Sequence, residues 1–118
     1  MKKIVNIGGT EVNMVTSGAT PIFYRNEFNG DFFSKFKAII ELATKSSEAK
    51  TDTERFETTF NSEEILLIQQ FAWVYAKNAN ANIAPLEQWL AEFEEFPVFD
   101  VLSELVELMM TSITTKKV

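Results

Sequence analysis

The chain has 118 residues, 46 % of them apolar, a net charge of −6, and neither histidine nor cysteine. So high an apolar share rules out a disordered chain, and the length suits one core, so a single domain over residues 1–118 is expected. Without thiols or imidazoles, disulfides, thiolate metal sites and the usual activated nucleophiles are excluded, and a cytosolic location is the simplest expectation.

The N-terminal run KKIVNI-GG-TEVNMVT predicts a β-hairpin over residues 2–16. Gly8-Gly9 supplies the positive φ angles of a two-residue turn, which pairs Ile7 with Thr10, Val5 with Val12 and Lys3 with Met14. That register gathers Val5, Ile7, Val12 and Met14 on one face, with Asn6, Glu11 and Asn13 on the other. A lone hairpin is only marginally stable, so its apolar face must lie on helices. The start is read as strand and turn, not as a signal peptide, and no apolar run is long enough to span a bilayer.

The helical part is expected over residues 20–112. Thr20 is a suitable N-cap and Pro21 a suitable first helical residue. Asn29-Gly30 breaks this helix and Asp31 can restart it. Phe32, Phe33, Phe36, Ile39, Ile40 and Ala43 then recur as the core stripe of a second helix. The polar stretch TKSSEAKTDTERFETT predicts a mobile loop over residues 44–60. Asn61 with Glu64 forms a capping pattern for the next helix. Its face of Ile65, Ile68, Ala72 and Tyr75, flanked by Leu67, Phe71 and Val74, is broad enough for the central helix of the domain. Pro85 opens a short helix bearing Leu86, Trp89, Leu90 and Phe93. Pro97 starts the last one, with Val98, Val101, Leu102, Leu105, Leu108 and Met109 inward and Glu104 and Glu107 outward; the tail TSITTKKV should fray. The expected architecture is α+β, a two-stranded hairpin packed on about four helices.

The acid is unevenly placed. Residues 1–60 hold eight acids and eight bases, whereas residues 61–118 hold nine acids and three bases, so the second half carries the whole excess. Such a surface repels phosphate backbones and disfavours nucleic acid. Gly8-Gly9 lacks the further glycines and the lysine of a phosphate loop. Glu92, Glu94 and Glu95 lack the alternate spacing and central glycine of a calcium loop and read as a solvated face. Chemistry on two carboxylates alone would need a deep cleft, which a domain this small seldom holds. No cofactor motif is present, and an enzyme is not expected.

The remaining unusual segment is TPIFYRNEF. Ile22, Phe23 and Tyr24 crowd ahead of the Asn29-Gly30 break, and one helix face cannot bury them all together with Phe28. Surplus aromatic area beside an arginine is typical of partner-binding surfaces. Two readings stay open: Phe23, Tyr24, Arg25 and Phe28 form a partner-binding surface, or the hairpin or last helix covers them.

The stretches TPIFYRNEFNGDFF, FAWVYAKNAN and WLAEFEEFPVFDVLSELVELM, in this order behind an N-terminal hairpin, resemble tail assembly chaperones of long-tailed, siphovirus-type phages and prophages of Gram-positive bacteria. The resemblance covers most of the chain and leaves residues 44–60 unmatched. It departs at ELMM, where an aromatic is expected. It implies a non-enzymatic protein that keeps the tape measure protein soluble, helps recruit tail tube subunits, acts in the host bacterial cytoplasm and is absent from the mature virion. Many such phages also make a longer, frameshifted form, and the closing TTKKV would suit a Lys-rich slippery site. Separately from the resemblance, the surplus apolar side chains around residues 22–28 are expected to support self-association or partner binding. The alternative function is a small acidic regulatory or inhibitor protein that occupies a basic protein surface.

Overall fold

A computed structural model describes residues 2–48, 51 and 62–113. Two strands, β1 (Lys2–Ile7) and β2 (Thr10–Val15), are followed by helices α1 (Thr20–Phe28), α2 (Phe32–Glu48), α3 (Ser62–Ala79), α4 (Leu86–Ala91) and α5 (Val98–Ile113). The fold is α+β, an antiparallel hairpin on a helical body, with five helices among the described residues where about four were expected.

The hairpin has the expected register, with Lys3 opposite Met14, Val5 opposite Val12 and Ile7 opposite Thr10. Gly8 and Gly9 adopt φ of 58° and 94°, and the Gly9 N–H donates to Asn6 Oδ1 at 2.7 Å. The turn is pressed onto the rest of the molecule: a Cβ at Gly8 would lie 2.5 Å from the Glu95 carbonyl oxygen. Val5, Ile7 and Met14 are fully buried. β2 lies along α3, and β1 meets α5.

Lys3 shares the inner face with Val5 and Ile7, so its ammonium is carried inward to α5 and bridges Glu104 at 2.6 Å and Glu107. Burial works against the charge, but the two carboxylates outweigh it and raise the Lys3 pKa. Glu104 and Glu107 keep the outward placement that the helical pattern suggested, and from there ion-pair with the hairpin.

α3 is the central helix and touches β2, α1, α2, α4 and α5. Six consecutive residues, Phe71 to Ala76, are buried, so this helix is enclosed on all sides over nearly two turns. Trp73, absent from the expected face, is buried and donates its Nε1–H to the Ala84 carbonyl at 2.9 Å. That bond ties α3 to the chain before α4.

α2 runs to Glu48, so residues 44–48 are helix and not the start of a loop. Loss of apolar periodicity does not end a helix when neither glycine nor proline follows. Here Thr44 Oγ1–H and Ser47 Oγ–H bond back to the carbonyls of Ile40 and Thr44. Most of the expected loop, the Asn61 cap and residues 114–118 lie outside the described residues. No helix among the described residues is long and apolar enough to cross a membrane.

Candidate partner-binding surface

α1 is seated by its own polar start. Ser17 Oγ accepts from the Ala19 N–H, and the Ser17 N–H donates to Thr20 Oγ1 at 3.1 Å. Thr20 Oγ1 also accepts from Asn78 Nδ2, at the far end of α3. Thr20 is thus the buried first residue of the helix and Ala19 precedes it as the cap position, one residue earlier than expected. The helix ends at Asn29 in the left-handed region, φ 53°, whose N–H returns to the Arg25 carbonyl. Asp31 opens α2 by accepting from the Ser34 N–H and Oγ–H, which lowers its pKa.

Thr20, Tyr24 and Phe28 recur every four residues and form the inward stripe of α1. Tyr24 is 1 % exposed. Its ring lies 5.2 Å from that of Phe28, 5.8 Å from Phe32 and 5.1 Å from Phe71. Its hydroxyl pairs with Gln70 Oε1 at 3.2 Å, and burial raises its pKa. Phe28 packs edge-on against Trp73 at 5.6 Å. Of the four residues singled out by sequence, Tyr24 and Phe28 therefore belong to the core or its margin, whereas Arg25 and Phe23 are exposed. Neither the hairpin nor α5 is the covering element. α3 is, through Phe71 and Trp73.

The outward side of the same region is apolar. Ile22 is 60 % exposed, Phe33 62 % and Phe23 38 %. Ile22 and Phe33 line one open groove of about 430 Å³ between the start of α1 and the start of α2, with Pro21, Arg25 and Asp31. Phe33 had been expected in the core stripe of α2. The structure turns Phe33 outward while Phe32, Phe36 and Ile39 are buried. Spacing alone does not separate the two, since Phe33 also has Phe36 three residues on and Ile40 seven residues on. Ile22, Phe23 and Phe33 together are large side chains that the fold leaves in water.

Among the described residues no carboxylate cluster is placed to hold a metal ion. Comparison of the chain with protein-family models, with curated proteins and with solved structures finds no match.

Proposed function

We propose that this chain is a non-enzymatic tail assembly chaperone of a long-tailed phage or prophage of a Gram-positive host, which holds the tape measure protein soluble and helps recruit tail tube subunits. On this reading it works in the bacterial cytoplasm and is not part of the finished virion. The motif order described above supports the family role. The observation that carries the holding role is the apolar groove of Ile22 and Phe33, flanked by Phe23, beside a core in which Tyr24, Phe28, Phe32, Phe36, Phe71, Trp73 and Tyr75 are packed inside. A protein that needed Ile22, Phe23 and Phe33 only to fold would have turned them inward. The base-free acidic stretch between Lys77 and Lys116 adds solubility and a charge preference in the partner.

Co-expression tests this directly. The tape measure protein should move from the pellet to the soluble fraction when this chain is present. Added salt should weaken the complex modestly without abolishing it, since surface charge is screened over about 10 Å at 0.1 M while apolar contact persists. A tape measure protein equally insoluble with and without the chain sinks the chaperone reading and favours the acidic inhibitor. A stable homo-oligomer with the groove occluded would assign the surface to self-association instead.

A further inference from the structure

Among the described residues, β1 has no strand on the side away from β2. Ile7 and Thr10 flank the two-residue turn and bond each other, and pairs alternate from there, so Val5–Val12 and Lys3–Met14 are the hydrogen-bonded ones. The N–H and C=O groups of Lys2, Ile4 and Asn6 therefore point to the open edge. No other described residue bonds to them. Edge strands are ordinarily protected by a proline, a bulge or an inward-pointing charge. β1 has no proline, and its register runs without a bulge from Lys2–Val15 to Ile7–Thr10. Ile4, in the middle of the edge, is 58 % exposed.

The inward-pointing charge is Lys3, and it is more than neutralised. One ammonium meets two carboxylates, those of Glu104 and Glu107, which leaves a negative charge over. The side chains of these glutamates are 40 % and 64 % exposed, so both remain within reach from solvent. β2 meets α3 and β1 meets α5, so the far side of α5 lies beyond the open edge of β1. A strand laid on that edge turns alternate side chains toward α5. An acid among them would be repelled, whereas a lysine or arginine would find the spare carboxylate.

We infer that the open edge of β1 is a docking site for an extended, basic segment of a partner protein, which adds to the hairpin as a third strand. Its backbone bonds Lys2, Ile4 and Asn6, one inward lysine or arginine pairs with Glu107, and an outward β-branched side chain covers Ile4. The site shares no residue with the groove of Ile22 and Phe33 and does not depend on the holding role.

The test is amide hydrogen exchange in the full chain. The probe is a blocked peptide of alternating threonine and valine with one central valine replaced by lysine, and its twin carries glutamate there. In the free chain the Ile4 and Asn6 amides should exchange readily, while β2 protects that of Val5. The lysine peptide should slow exchange at Ile4 and Asn6 about tenfold, and should bind about tenfold more tightly than the glutamate peptide. Glu107→Gln keeps the Lys3–Glu104 bridge but removes the spare charge, so the two peptides should bind this variant equally. Ile4→Pro removes an edge donor that the hairpin does not use, and should abolish binding. If Ile4→Pro does not fold, Glu107→Gln decides alone. The proposal is overturned by unchanged exchange at Ile4 and Asn6, by a lysine preference that survives Glu107→Gln, or by undiminished binding to a folded Ile4→Pro. Protection of Ile4 and Asn6 that grows with concentration of the chain alone also overturns it, by giving the edge to a second copy.

Discussion

Core and surface on α1 can be separated by two sets of substitutions. Tyr24→Ala removes a ring in contact with Phe28, Phe32 and Phe71 and strands the Gln70 amide oxygen. Truncating a buried aromatic costs about 3–5 kcal/mol, and for a domain of this size each kcal/mol lowers Tm by roughly 4 °C. A fall of roughly 12–20 °C is expected. Tyr24→Phe removes only the Gln70 pairing and should cost about 0.5–1.5 kcal/mol. Ile22→Asp and Phe33→Asp act on exposed side chains in the first turns of α1 and α2, where an acid is favoured by the helix dipole. Their stability should stay within about 0.5 kcal/mol of wild type. Their capacity to keep the tape measure protein soluble should fall about tenfold or more, as for a truncated interface anchor. Phe33→Ser separates loss of the ring from gain of charge. Thermal melts by circular dichroism and the soluble yield on co-expression read both effects. Wild-type melting of Tyr24→Ala would refute the core assignment. Full rescue by the two Asp variants would refute the groove as the holding surface.

Gly8→Ala should destabilise by about 2–4 kcal/mol, because it adds left-handed strain to a contact under 3.0 Å with the Glu95 backbone, whereas Gly9→Ala meets nothing and should cost only about 1–2 kcal/mol of strain. Equal losses in a urea titration would mean that the hairpin tip is not seated on the segment before α5. The Lys3 bridges should give an alkaline signature: with the folded pKa raised, their contribution is complete below the unfolded value of about 10.4 and disappears as pH rises through the folded one. Wild type should therefore lose up to about 1 kcal/mol more than Lys3→Met between pH 9 and 12, and parallel losses would show the bridges to be inert.

The hairpin was legible to the residue because turn type and side-chain alternation specify the register twice over, through Gly8-Gly9 and through Val5, Ile7 and Met14. Helix starts at Asp31 and Pro97 were legible for a similar local reason. What failed depended on tertiary neighbours. Thr20 looked like a cap until Asn78, far along the chain, drew its hydroxyl inward. Tyr24 looked like surplus until Phe71 arrived from α3 to cover it. Trp73 sat outside the expected face because a helix enclosed all round has no single face; the unbroken run FAWVYA was the available sign. Phe33 was assigned inward because it recurs with Phe36 and Ile40 at helical spacing, and that pattern does not tell it from Phe32; only the packing of α2 on its neighbours does. Tyr75 was read correctly as core.

The division of labour on α1 follows from its length. A helix of nine residues is unstable alone, so its conformation comes from whatever it is bound to. Three ties to α3 supply that support along its whole length: Thr20 to Asn78, Tyr24 to Gln70, and Phe28 to Trp73. The same ties set the azimuth of the helix, and with Tyr24 inward, Ile22 and Phe23 must point out. On the proposed role this matters energetically, because ordering a rotamer-rich surface on association costs about 0.5–1.5 kcal/mol per side chain. A surface carried on a helix already clamped at both ends has its backbone ordered in the unbound state, so only the side-chain rotamers remain to be fixed. Tyr24 and Phe28 thus serve the holding surface without touching what it holds, by keeping Ile22, Phe23 and Arg25 where a partner can meet them.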